Sequence, residues 1–216
     1  MEVDGTMSEK DILSAIKPDD VHFAKTKLIC LENTHSGMPL PVNYSRKIKR
    51  ISNKSGLAMH LDGARIFNAA VFEKSEPIDL VKDFESVSFC LSKGLGAPIG
   101  SVLVGNKDFI ETGRRWRKVL GGGMRQAGVL ASAGLYALKN NIARLSSDHE
   151  KAEELSETLS SRFSSDSVRC ATNMIHLEID KSIYSSLASH LEKGGIRVGR
   201  PRWGIHKDIP HSAIKK

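Results

Sequence analysis

Ser88-Phe89-Cys90-Leu91-Ser92-Lys93-Gly94-Leu95-Gly96-Ala97-Pro98 is the stretch on which the fold turns. Residues 87–91 form a short apolar run that reads as a buried strand. The run delivers Lys93 into a loop too rich in glycine and proline to stay regular. In α/β proteins ligands sit beyond the carboxyl ends of parallel strands, so a lysine there faces a binding crevice. Its ε-amine is suited to Schiff-base chemistry with an aldehyde. Taken alone, Ser-Lys-Gly reads as an exposed loop lysine, because most lysines are solvated. The neighbouring stretches weigh against that reading.

Upstream, residues 57–61 make another apolar strand, followed by Asp62-Gly63-Ala64-Arg65 and a helix over residues 66–71. Asp62 and Arg65 are three apart, which puts them on one side of a helix start. Alone, Asp62 reads as an N-cap and Arg65 as a surface cation. Residues 27–31 form an earlier strand that ends in the polar loop Glu32-Asn33-Thr34-His35-Ser36-Gly37. A helix over residues 8–16, capped by Ser8, precedes it, and a basic amphipathic helix over residues 43–52 follows it.

Downstream, residues 99–105 are an apolar strand near enough to pair as a hairpin, and residues 107–118 form a helix. Gly121-Gly122-Gly123-Met124-Arg125-Gln126 opens a helix over residues 124–140 whose N-terminus suits an anion. Its small apolar residues predict burial. A second unit begins near residue 146: a surface helix over 147–163, a half-buried strand over 172–179, and a helix over 181–193 capped by Gly194-Gly195. Residues 196–198 and 203–205 read as two short antiparallel strands, and residues 160–167 as a serine-rich loop. Internal repeats are absent. The fold class is α/β, with residues 1–145 as a large unit of mostly parallel sheet and residues 146–216 as a small α+β unit.

Composition narrows the function classes. With 40% hydrophobic and 26% charged residues, the chain is ordinarily globular. The net charge of +7 is spread over short clusters such as Arg114-Arg115-Trp116-Arg117-Lys118, which fits solvated faces or an anion site better than nucleic-acid binding. Cys30, Cys90 and Cys170 lie inside apolar runs and are expected to be buried thiols of a reducing compartment, with no disulfide and no metal site. The sequence carries no membrane-length apolar run or secretory segment, and the expected location is cytoplasmic.

Four motifs in register resemble the low-specificity threonine aldolases, pyridoxal-phosphate enzymes of the aspartate-aminotransferase fold type: Glu32-Asn33-Thr34-His35, His60-Leu61-Asp62-Gly63-Ala64-Arg65-Ile66-Phe67-Asn68-Ala69, the Lys93 stretch, and Gly121-Gly122-Gly123-Met124-Arg125-Gln126. The resemblance implies that Lys93 holds the cofactor aldehyde and Asp62 pairs with the pyridine nitrogen. It implies that Arg65 grips the substrate carboxylate, that His35 helps remove the β-hydroxyl proton, and that Arg125 reaches a neighbouring subunit's cofactor phosphate. Arg202-Trp203-Gly204-Ile205-His206-Lys207-Asp208-Ile209 resembles the family's closing segment more loosely, with Arg202 as a second carboxylate arginine. The implied reaction is cleavage of L-threonine or L-allo-threonine to glycine and acetaldehyde, in threonine catabolism and glycine formation. The implied assembly is a homodimer or homotetramer, without nucleic-acid or membrane partners.

The resemblance also implies that relatives carry a preceding segment with a phosphate cup, a ring-stacking imidazole and further strands. The expectation is therefore a fragment, splice form or truncated gene product, slightly short at its end too, with weakened cofactor binding and doubtful activity. Gly5-Thr6-Met7-Ser8 mimics a phosphate cup only by coincidence on this reading. The alternatives are an inactive truncated subunit, or a related lyase such as a serine hydroxymethyltransferase-like enzyme.

Overall fold

Strands β1 (Leu28–Glu32), β2 (Ala58–Asp62), β3 (Ser86–Cys90) and β4 (Ser101–Gly105) form one sheet in the order β1-β2-β3-β4. The computed structural model describes residues 2 and 4–215; Met1, Val3 and Lys216, which belong to the two chain ends read above, lie outside the described residues. β1 and β2 pair in parallel, as do β2 and β3, while β4 returns antiparallel to β3 as the hairpin reading expects. The register aligns Glu32 with Asp62 and Asp62 with Ser88, so the polar ends of β1 and β2 lie level with Ser88 in the middle of β3.

Helices cover this sheet where the sequence offers an apolar stripe. α1 (Glu9–Ala15) starts at Ser8, whose hydroxyl accepts the Asp11 N–H, and it buries Ile12. α2 (Tyr44–Ser55) is basic outside and buries Ile48 and Ile51, three apart on one face. It stops at Gly56, whose φ of +63° lies in the left-handed region. α3 (Ile66–Phe72) and the short α4 (Pro77–Val81) follow β2. The core combines Ile29, Leu31, Met59, Leu61 and Val87 from the sheet with Ile48 from α2.

α5 (Lys107–Val119) and α6 (Gly128–Asn140) lead to α7 (Leu145–Arg162), the longest helix among the described residues. β5 (Val168–Ala171), β6 (Met174–Leu177) and β7 (Arg202–Gly204) make a second, antiparallel sheet in that order. α8 (Lys181–Lys193) joins β6 to β7, and α9 (His211–Ile214) packs on α7. Ile175, Leu177, Ile205 and Ala152 form the core here.

The structure corrects six expectations. α6 begins at Gly128, not at residue 124, because Gly121 and Gln126 take positive φ and the backbone turns through residues 124–127. α6 is not buried either: only Gly134 and Ala137 are inside, and Val129, Leu135 and Tyr136 face outward. Cys30 is exposed, and Cys90 and Cys170 are half-buried. Residues 196–198 are not a strand, and residues 172–173 belong to the β5–β6 turn, where Thr172 has φ +49°. The serine-rich stretch is mostly α7 and a 3-10 turn, Ser165–Ser167.

Candidate active site

Lys93 is held up by a closed loop. Leu91 N–H donates to Gly100 O at 2.9 Å, Ala97 N–H to Leu91 O at 3.0 Å, and Gly96 N–H to Lys93 O at 2.8 Å. Leu95 anchors the loop in a small cluster with Leu91, Ala137 and Leu145. The Asn141 amide adds a bond to Leu95 O at 2.6 Å. Gly94 is required where it stands, because a Cβ there would sit 2.9 Å from Leu145 Cδ2. With its backbone fixed inward, the loop leaves Lys93 itself exposed.

A cleft of about 520 Å³ opens at this lysine, lined by Arg65, Ser92 and Lys93 on one side and by Asn173, His206 and Lys207 on the other. Lys207 lies over Gly96, its Cε 3.1 Å from where a Cβ would be. Lys93, Arg65 and Lys207 have no ion-pair partner among the described residues and outnumber the one lining carboxylate, Asp208, so the cleft is cationic.

Arg65 is the N-cap of α3, and Asp62 lies outside that helix. The expected pairing on one helix face is therefore replaced by a loop. Asp62 does not cap α3 either: its Oδ1 accepts the Ala64 N–H at 3.0 Å. Burial lowers the Arg65 guanidinium pKa from its ordinary value, and the Arg202 charge lowers it further; Cys90, Glu32 and Asp62 oppose both effects. Arg202, Cys90, Glu32 and Asp62 are thus within electrostatic reach of one guanidinium. Arg202 starts β7 and pairs with His176 across the second sheet.

His35 stands at the end of β1 beside Glu32, with Nδ1 2.6 Å from Glu32 Oε2. Its loop is docked on the second sheet. Thr172 Oγ1 donates to Gly37 O at 2.8 Å, and His176 Nε2 lies 2.9 Å from Ser36 O. Asn68 of α3 donates to Asn173 Oδ1 at 3.1 Å, and Asn173 donates to Ile205 O at 2.7 Å. Lys93 and Arg65 thus line the cleft itself; Asp62 and Arg202 lie within electrostatic reach of Arg65, and His35 joins them through Glu32. Arg125 does not line it; Arg125 is exposed in the turn before α6.

The pyridoxal phosphate that the resemblance implies fits the residues present. The cleft falls in the range of roughly 300–1,000 Å³ usual for small-molecule sites. A free primary amine, a carboxylate with one oxygen uncommitted, and a surplus of cations with the Ser92 hydroxyl match an aldehyde, a ring nitrogen and a phosphate.

Sequence reasoning missed four residues of this crevice. Glu32 was already inside the quoted loop, three positions before a histidine, and that spacing was the available signal. Lys207 lay in the closing segment 202–209 without a role of its own, and Asn173 had no signal, since only the chain path brings it to Lys93. Gly5 is the fourth: a Cβ there would be 2.5 Å from His35 Cβ.

The strand order and the paired sheets define the aspartate-aminotransferase-like fold, fold type I. Solved structures share it: a putative L-allo-threonine aldolase from Listeria monocytogenes has a TM-score of 0.79 at 22% identity, over 98% of this chain and 63% of that one. The threonine aldolase of Leishmania major has a TM-score of 0.78 at 18% identity, over 98% and 65%. The chain belongs to the beta-eliminating lyase family, whose model matches residues 1–182. It is 46% identical over 214 residues to a low specificity L-threonine aldolase of Escherichia coli O157:H7, covering 98% of this chain and 64% of the relative. It is 42% identical over 229 residues to low-specificity L-threonine aldolase 1 of Arabidopsis thaliana, with 99% and 64% covered. The chain thus spans 64% of the length of these curated relatives.

Proposed function

We propose that the protein acts as a pyridoxal-phosphate-dependent threonine aldolase, cleaving L-threonine or L-allo-threonine to glycine and acetaldehyde. The observation that carries this reading is the cationic cleft lined by both Lys93 and Arg65, with Asp62 within electrostatic reach of Arg65 and His35 bonded to Glu32 nearby. Lys93 would hold the cofactor by its aldehyde, and Asp62 would accept a hydrogen bond from the protonated ring nitrogen. When bound, the cofactor supplies an electron sink for the pair left on Cα. Arg65, with Arg202, would bind the substrate carboxylate, a planar fork against two oxygens. His35 takes the β-hydroxyl proton, the oxygen forms the acetaldehyde carbonyl as Cα–Cβ parts, and a proton returned to Cα gives glycine.

Residues 1–145 and 146–216 form the two units of this site. The exposed apolar residues of β4, α5 and α6 support assembly with further copies, where Arg125 would reach a neighbour's cofactor phosphate. No helix among the described residues is long and apolar enough to cross a membrane; we place the enzyme in the cytoplasm.

The test is product analysis with added pyridoxal phosphate. The wild-type chain should release acetaldehyde and glycine in equal amounts from threonine, and Lys93→Ala should release neither. Threonine left intact by the wild type, or cleavage that survives Lys93→Ala, overturns the reading.

A further inference from the structure

His35 is held on two sides by residues to which the motifs give no role, Glu32 and Gly5. Its backbone is pinned by reciprocal bonds with Met38, His35 N–H to Met38 O and Met38 N–H to His35 O, each 2.8 Å. Its Nδ1 meets Glu32 Oε2 at 2.6 Å, a charge-assisted distance. An ionised carboxylate can only accept, so Nδ1 carries the hydrogen. In the neutral ring Nε2 is then left with its lone pair.

Gly5 closes the other side. Its φ is +80°, and a Cβ there would stand 2.5 Å from His35 Cβ and 3.0 Å from Cγ. The turn that brings Gly5 there is tied by Asp4, which accepts both the Thr6 N–H at 2.9 Å and the Thr6 hydroxyl at 2.7 Å. Those two bonds hold the Asp4 carboxyl below its ordinary pKa, so the tie persists in mild acid.

We propose that Glu32 is a positioning residue. It locks His35 in the Nδ1–H tautomer, so that Nε2 is the atom that takes the substrate's β-hydroxyl proton, while Gly5 packs against the ring's base. The proposal rests on the aldol reading given above. When Nε2 takes its proton, the ring becomes a cation beside a carboxylate already in place, so charge develops next to its counter-ion without reorganisation. Glu32 touches His35 directly and Arg65 only through its field, so its loss acts mainly on kcat and changes KM little.

The test pairs a spectroscopic readout with kinetics. In the full chain with ¹⁵N-labelled histidine, His35 should show a protonated Nδ1 and a pyridine-type Nε2; Glu32→Leu should lose that pattern. In the cofactor-loaded enzyme, Glu32→Leu should lower kcat for threonine by about 10²-fold, the size of a positioned proton transfer, with KM within about threefold. Glu32→Gln keeps an acceptor without the charge and should fall between, which also controls for misfolding. A wild-type His35 protonated on Nε2 overturns the proposal, as does a Glu32→Leu enzyme with unchanged kcat. Wild-type chain that leaves threonine intact overturns the aldol reading instead, and the tautomer measurement tells the two failures apart.

Discussion

At Gly96 the backbone is left-handed, with φ +72°, and the stem of Lys207 lies where a side chain would grow. The two constraints differ in cost. Lys207 meets that space with the far end of a flexible chain, which can swing away. The backbone cannot, since it carries the Gly96 N–H to Lys93 O bond that turns the loop. Gly96→Ala is therefore expected to lower the unfolding free energy by about 1–2 kcal/mol, the cost of a left-handed non-glycine residue. Adding Lys207→Ala should recover little of it. A denaturant titration of the single and double variants reads both; full recovery in the double variant would mean that the side-chain contact dominates. Histidines give a second prediction at this scale. Burial lowers the pKa of both His149 and His176 below the ordinary 6.5. The charges of Asp148 and Glu150 oppose it at His149; at His176 the Ser36 carbonyl and Glu178 oppose it, and Arg169 and Arg202 reinforce it. Neutral imidazole is thus favoured in the fold, and the unfolded chain takes up protons first as pH falls. Their stabilising contribution is complete above the unfolded pKa and declines as pH drops below about 6.5. The thermal midpoint should fall between pH 7 and pH 5, and His149→Gln should reduce that slope; an unchanged slope would remove His149 from the account.

Among the elements, α7 holds the most charge in the least water. Asp148 is fully buried between Arg144, one turn before it, and Lys151, at 3.3 Å. Lys151 is itself buried and reaches across to His206 O at 3.3 Å and Ile209 O at 3.0 Å. The helix thereby fixes the 206–209 segment that supplies the far wall of the Lys93 cleft. Lys151→Met leaves Asp148 still paired with Arg144, so the loss should be about 1–3 kcal/mol. Asp148→Leu strands a buried ammonium and should lose about 3–5 kcal/mol. Urea midpoints at constant m-value would check the order, and the reverse order would refute the network. This network also shows what the sequence could and could not tell. α2, α5 and α8 were legible because apolar residues repeat at helical spacing, and Gly194-Gly195 marks the end of α8. The strands carrying Asp62 and Lys93 were legible as short apolar runs. α7 read as a surface helix because Asp148 and Lys151 count as polar, and nothing local reveals that they satisfy one another inside. β5 went unseen because Val168–Ala171 is short and lies after a serine-rich stretch. In the crevice, residues delivered by strand ends were legible from motifs, whereas Asn173 and Lys207 arrive from the second sheet and its loop.

For the molecule as a whole, the main asymmetry is in its apolar surface. One side is well filled: Met59, Leu61 and Ile48 are inaccessible to water. On the other, Leu103 and Val104 of β4, Trp116 of α5, and Val129, Leu135 and Tyr136 of α6 stand in solvent, the last three between 57% and 71% exposed. β4 is also a sheet edge among the described residues, which adds unpaired backbone groups to the same region. The misreading of α6 as buried has its cause here, since the residue types are those of a core and what they meet is water. Exposed apolar side chains in this number drive association. The purified chain should therefore grow in mass with concentration in sedimentation velocity. Val129→Glu with Leu135→Glu should reverse that by placing charge on the face, and net charge would shift only from +7 to +5. Since both side chains are already hydrated, the unfolding midpoint should stay within the roughly 0.5 kcal/mol typical of surface changes. A collapse of that midpoint would show the two side chains to be part of the fold's interior, and unaltered association would move the sticky surface elsewhere.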